Sequence, residues 1–285
     1  MPVQAPPPFV PHFARALLRD RLFMLLLLAN VAYYLVMVGA GVNWQSPRTL
    51  DLLQWGGNFA PLTLTGDWWR LITSMFMHGG LVHLALNMLM LFQLGQIVEW
   101  RYGSLRFAVI YLLSGLGGGI ASALWNGYHQ VGSSLNVGGT VMQVQNLHPA
   151  VSVGASGAIM GLAGAWLITR WLEPPDAHRS GDVKTIGQVI LVNLAIGFVV
   201  SGIDQSAHLG GLLAGLLSGF LLMRIGTRPR VMLGPLFALL LGVFGTAAAI
   251  AVVSAPPSEA LRAYRQQALQ EIQSASRPAN SDATQ

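Results

Sequence analysis

Apolar stretches long enough to cross a bilayer recur along this chain, and they leave little choice of fold. A hydrocarbon core of roughly 30 Å needs about 20 helical residues to span it. Such segments are read at 21–42, 80–100, 105–125, 153–171, 186–202, 206–223 and 231–253. Apolar residues make up 53% of the 285 and charged residues 9%, so the expected fold class is all-α, a polytopic membrane helical bundle. The expected regions are an N-terminal tail (1–20), a seven-helix membrane domain (21–253) and a polar C-terminal tail (254–285).

Basic residues set the orientation, because Lys and Arg collect in short cytoplasmic loops. Arg15, Arg19 and Arg21 precede the first span, and Arg101 and Arg106 separate the second from the third. Arg170, Arg179 and Lys184 follow the fourth; Arg224, Arg228 and Arg230 follow the sixth. The long loop 126–152 has no Lys or Arg, nor has the turn around Asp204. This pattern puts the N-terminus in the cytoplasm, with Arg262, Arg265 and Arg277 of the tail as a mild exception. The formal charge of +5 is thus a matter of topology and gives no reason to invoke nucleic acid. There is no cysteine, which excludes disulfides, thiolate metal sites and a cysteine nucleophile. The first span has a basic flank and the small residues Val38-Gly39-Ala40, but its apolar run exceeds a signal-peptide core, so it reads as an uncleaved anchor.

Between the first two spans, Leu52, Leu53, Trp55, Phe59, Leu62, Leu64, Trp68 and Trp69 are interrupted by Gly, Pro, Asp and Arg. That is too broken for a span and too apolar for a solvated loop, so the segment is expected in the outer interface, where Trp is favoured. In the tail, Ser258 can cap a short helix with Leu261, Tyr264, Ala268 and Ile272 on one face; a solvated or interfacial tail is expected. No internal repeat of the transporter kind stands out.

Polar groups inside spans are expensive, so each is a candidate for function. The second, fourth and sixth spans run in the same direction, and each carries such groups in its first turns: His83 and Asn87, Ser156, and His208. His83 and Asn87 are four apart and share a helix face. Singly, each has a bland explanation. Gly154, Gly157 and Gly161 form a small-residue packing pattern in which Ser156 would be structural, and Gly211 and Gly215 do the same beside His208. His78, five before His83, is expected on another face and makes a poor chelating partner, so metal binding ranks low.

Together they have a chemistry. Serine needs an adjacent base to become a nucleophile, and imidazole has a suitable pKa. Attack on a carbonyl builds an oxyanion that needs donors, which Asn and His side chains supply. Ser156 and His208 fit the first requirement, His83 and Asn87 the second. Ala158 stands where the nucleophile elbow of soluble hydrolases has its final Gly, which excludes that fold. Asp204, four before His208, fits either a third catalytic group or an N-terminal helix cap, and the cap is preferred.

Over residues 69–215 the chain resembles the rhomboid family of intramembrane serine proteases. The matching elements are Trp69-Arg70; His78, His83 and Asn87; Gly95, Glu99 and Gly103; Gly154-Ala155-Ser156-Gly157; and Ala207-His208 with Gly211 and Gly215. The resemblance implies a six-helix rhomboid core plus one C-terminal transmembrane helix, and a water-filled cavity opening to the outer side. It implies Ser156 as nucleophile, His208 as general base and then acid, and His83, Asn87 and the Ser156 backbone amide as oxyanion donors. It implies transmembrane protein substrates in contact with membrane lipids, cut near their outer end, and no cofactor or metal. The expected location is a bacterial inner (plasma) membrane. Glu99 and Arg101 fall at the cytoplasmic end, where a structural role is expected.

Two features depart from the family pattern. Met160 stands where many relatives carry an aromatic ring against the catalytic imidazole, a place its polarizable sulfur can also fill. The 126–152 loop is long and rich in Gly, Asn and Gln, and suits either a cover for the cavity or a tolerated insertion. Two other readings stay open: a catalytically silent rhomboid-like binding factor, and a proton-coupled transporter using His83, Asp204 and His208, which leaves Ser156 and Asn87 without a task.

Overall fold

The computed structural model describes residues 22–128, 130–137, 140–147, 150–199, 202–225, 242, 245 and 258–275. The first span is α1 (Leu22–Gly39). The interfacial segment then folds as α2 (Thr49–Gln54), β1 (Asn58–Phe59), α3 (Ala60–Thr63), α4 (Arg70–Thr73) and a 3-10 turn (Ser74–Phe76). Next come α5 (Leu81–Tyr102), α6 (Ser104–Tyr128), a hairpin of β2 (Gln130–Val137) and β3 (Thr140–Leu147), and β4 (Val151–Ser152). The chain continues through α7 (Ser156–Leu172), α8 (Arg179–Val199), α9 (Gln205–Ile225) and α10 (Glu259–Ala275). Among the described residues, α1, α5, α6 and α9 are long and apolar enough to cross a membrane. The expected span 231–253 lies outside the described residues apart from 242 and 245; Gly242 lies against Leu113 of α6.

Helix α7 is the centre of the bundle. Its residues from Gly157 to Trp166 are all buried, and α5, α6, α8 and α9 pack around it. The α7–α9 contact runs through glycine. A Cβ on Gly211 would strike the Gly157 carbonyl, and one on Gly215 the Gly161 carbonyl. The order 157–211, 161–215 makes the two helices parallel with backbones touching, the close approach that small residues permit in membranes. Helix α6 runs the other way, with Gly118 against the Ala207 carbonyl and Ser114 against Gly161. Helix α5 is again parallel to α7: its last residue, Tyr102, bonds Thr169 near the end of α7.

One end of the bundle is tied by an ion network. The Glu99 carboxylate, wholly buried, accepts the Leu22 and Phe23 amides at 3.2 and 2.8 Å, satisfying N–H groups that α1 leaves unpaired at its start. Gly103 closes α5 at φ +79°, its N–H donating to the Glu99 carbonyl at 2.8 Å. Arg170 holds Glu173, Asp176 and Asp182 at 2.6–2.8 Å, and Arg101 joins through Glu173, tying the ends of α5 and α7 to the start of α8. The Arg170 guanidinium hydrogen-bonded to Asp176 holds that carboxyl below its usual range. The structural role expected of Glu99 and Arg101 is what they have.

At the other end, the tail differs from a solvated segment. Ser258 caps α10, accepting the Leu261 N–H at 3.3 Å; Leu261 is buried, and Ala268 is buried against the interfacial segment. The 126–152 loop contains the β2–β3 hairpin, in register from Gln130↔Leu147 to Val137↔Thr140. A two-residue Gly-Gly connection between paired runs is a hairpin signal.

The glycine contact makes a direct prediction. Gly211→Ala is expected to force α7 and α9 apart and cost about 1–3 kcal/mol, as overpacking does. Gly187→Ala on α8, where an added Cβ meets nothing within 4 Å, is expected to be neutral. Thermal unfolding of the two purified variants beside the parent checks this.

Candidate active site

Ser156 is the first residue of α7, His83 the third of α5 and His208 the fourth of α9. Because the three helices are parallel, these positions share one level. Backbone approach then draws them together. Gly154 turns the chain at φ +123° with its Cα against the His83 ring: a Cβ there would lie 2.9 Å from Cε1 and Nε2. On the other flank of the serine, a Cβ on Gly157 would lie 3.2 Å from the carbonyl of Ala207, the residue before His208. Gly154 therefore belongs to the turn that presents Ser156, while Gly157 and Gly161 form the packing stripe expected of all three.

The turn is held from behind. The Gly154 N–H donates to the Ser74 carbonyl at 2.9 Å, and β4, just upstream, pairs antiparallel with β1 through Asn58↔Ser152 and Phe59↔Val151. The Ser156 amide, opening α7, has no carbonyl of its own helix to bond and is a natural oxyanion donor.

His83 accepts the Gly79 N–H on Nδ1 at 3.3 Å, and its ring meets His78 edge to face at 5.2 Å between centroids. This contact departs from the five-residue spacing argument. Helix α5 starts only at Leu81, after Gly80 at φ +124°, so His78 sits on a turn that folds back over the helix end. His78 is wholly buried, with both ring nitrogens unpartnered. Among the described residues no group of three or more His, Cys, Asp or Glu is placed to hold a metal.

Asn87 lies one turn below His83 and donates to the His83 carbonyl at 2.9 Å, leaving the second amide hydrogen free and Oδ1 buried without a partner. His208 is buried and its Nδ1 has no hydrogen-bond partner. The described hydrogen bonds include none between the Ser156 hydroxyl and His208, so the two are brought to neighbouring backbone positions and not yet joined. Asp204 is the α9 cap: its Oδ1 accepts the Ala207 N–H at 3.0 Å and bonds the Ser206 hydroxyl. Met160, one turn below Ser156, is buried in the main core.

Helix α7 is also short. Its 17 residues rise about 26 Å, less than the roughly 30 Å hydrocarbon core. Its C-terminal end is anchored by the Arg170 ion pairs.

An apolar helical bundle with polar groups gathered at one depth is an integral membrane protein. Residues 65–225 match the Rhomboid domain, more than half of the chain. The chain belongs to the rhomboid family. It is 34% identical over 218 residues to Rhomboid protease AarA of Providencia stuartii, covering 74% of this chain and 75% of that protein. It is 38% identical over 178 residues to Rhomboid protease GluP of Bacillus subtilis (strain 168), covering 61% of this chain and 30% of that one. It is 35% identical over 179 residues to RHOMBOID-like protein 4 of Arabidopsis thaliana, covering 62% and 40%. The matched region thus spans less than half the length of the last two.

The cap geometry separates the two roles considered for Asp204. As a cap, Asp204→Asn keeps an acceptor oxygen and is expected to keep proteolytic turnover, whereas Asp204→Ala loses about 1 kcal/mol of stability. A catalytic third member would instead lose about four orders of magnitude on Asp→Asn. Turnover and thermal stability of both variants decide it.

Proposed function

We propose that this chain is an intramembrane serine endopeptidase that cuts transmembrane proteins near the outer end of their membrane segments with a Ser156–His208 dyad. The observation that carries this reading is the convergence of the Ser156 turn with His83 on one side and Ala207-His208 on the other, at the start of a central helix. A helical substrate hides its carbonyls in hydrogen bonds, so it must unwind to present one to Ser156 Oγ. His208 takes the hydroxyl proton as Oγ attacks, then gives it to the leaving amine; in the second half it activates the water that hydrolyses the acyl-enzyme. His83, Asn87 and the Ser156 amide stabilise the oxyanion in both halves. His208 Nδ1 is unpartnered and Asp204 Oδ1 serves the helix cap while its Oδ2 bonds nothing; that the two side chains are not hydrogen-bonded supports a unit of two residues.

The same frame supports a six-helix core plus one C-terminal span, with the N-terminus cytoplasmic and the site opening outward. Helix α9 leads from the site level to Ile225, while α10 rests on the interfacial segment at the site end. The chain between 225 and 258 therefore joins opposite ends of the bundle, which favours a further crossing.

Ser156→Ala and His208→Ala are each expected to abolish cleavage of a model transmembrane substrate, with the double variant no worse than either single, since members of one catalytic unit are non-additive. A fluorophosphonate probe should label Ser156 only when His208 is present, an outcome that neither a silent relative nor a transporter would give. Substantial cleavage by purified Ser156→Ala would sink the assignment.

Asn87→Ala is expected to lower kcat by about a hundredfold or more with a smaller change in KM. His83→Ala should act in the same direction. Steady-state kinetics on a quenched peptide substrate check both.

A further inference from the structure

Helix α10 lies across the interfacial segment on its apolar face. Leu261 and Ala268 are buried, and Leu269 and Ile272 pack in one cluster with Leu53, Phe59, Leu62 and Val151. Phe59 is in β1 and Val151 is in β4, so the helix rests on the strand pair that leads to the nucleophile. Arg265 reaches from the same face. It donates to Thr65 Oγ1 at 2.6 Å and the Leu62 carbonyl at 3.3 Å, and pairs with Asp67 at 3.1 Å. Asp67 also pairs with Arg70 at 3.2 Å, and Arg70 donates to the carbonyls of Leu53 and Gly57 at 2.8 and 3.1 Å. Gly57 is the residue before β1. A continuous chain of contacts thus runs from Arg265 through Asp67, Arg70 and Gly57 into the β1–β4 pair, four residues short of Ser156.

A two-residue antiparallel pair does not hold itself: strands this short need packing from outside. Here α10 supplies part of that packing, through Ala268, Leu269 and Ile272 against Phe59 and Val151, beside α2, α3, α4 and α6. The Arg265 pair is partly exposed, and exposed ion pairs contribute little to global stability. Its loss should therefore loosen a local element without unfolding the bundle.

We propose that α10, fixed through Arg265, is a positioning strap that holds the β1–β4 pair so that the turn at 153–155 presents Ser156 to substrate. The proposal rests on the serine protease reading above. It makes Arg265 a positioning residue, acting on the reaction through Asp67, Arg70 and the strand pair.

The test compares the full-length chain with Arg265→Ala, Arg265→Lys and, as a control on the exposed side of α10, Arg262→Ala. Amide hydrogen exchange in 150–155 is expected to speed up by about tenfold in Arg265→Ala, with exchange in α7 and α9 unchanged. Under the same conditions kcat is expected to fall about fivefold, with KM within about twofold and the melting temperature unaltered. Arg265→Lys, which keeps the cation for Asp67, should recover most of both effects, and Arg262→Ala should match the parent. Unchanged exchange at 150–155 overturns the strap, as does faster exchange with unchanged kcat. A melting temperature that falls in step with kcat also overturns it, since the helix would then be structural only. A parent that fails to cleave while binding no serine probe would overturn the protease reading instead, and the exchange comparison would then decide the strap by itself.

Discussion

Everything at the site depends on two helices touching through their backbones. Where Gly157 meets Gly211 and Gly161 meets Gly215, no side chain separates α7 from α9, and the first turns of both are fixed relative to each other by peptide groups. Side chains hop between rotamers; peptide groups in a helix do not. The proposed dyad needs a hydroxyl and an imidazole to meet within a few tenths of an ångström, and such a frame suits that better than loops do. The absence of a hydrogen bond between Ser156 and His208 is compatible with this, since catalytic hydrogen bonds often tighten only when substrate is bound.

The two ends of the bundle are built by opposite rules. At one end charge is used freely: Glu99 takes the exposed amides of α1, and Arg170 gathers three carboxylates from the start of α8 and the turn before it. At the other end the polar groups near Ser156 are neutral or half-satisfied, with unpartnered atoms on His78, Asn87 and His208. Unsatisfied buried polar groups are costly. The ion network at the first end and the apolar core between hold the bundle together despite that cost, which leaves the second end free to keep unpaired donors and acceptors.

Much of this was legible in the residues. Hydropathy locates α1, α5, α6 and α9, and the parallel directions of alternate spans put His83, Ser156 and His208 at one level. Asp204 was readable as a cap because Asp at a helix start has a local purpose. What could not be read were contacts between residues distant in sequence. Nothing local to Asn58-Phe59 specifies Val151-Ser152 as its partner. Nor does the amphipathic face of 259–275 say what it covers, and a membrane surface would have suited it as well as Phe59 and Val151. The His78–His83 contact escapes a helical spacing rule for a different reason: Gly80, at positive φ, breaks the helix between the two. The two residues between β2 and β3, Gly138-Gly139, are a hairpin signal legible in the sequence.

The parallel arrangement of α5, α7 and α9 has an electrostatic consequence. Each helix carries about half a unit of positive charge at its N-terminus, and the three N-termini share one level, with the Asp204 carboxylate at the start of α9 offsetting part of the third. Water screens such fields at a surface, but a site bounded by hydrocarbon screens them poorly. An anion formed at Ser156 would thus find a standing positive potential supplied by the peptide backbone, present before any substrate arrives and costing no reorientation when charge develops. Removing a single donor side chain would leave that field in place, because it belongs to the direction in which three segments of the chain were threaded.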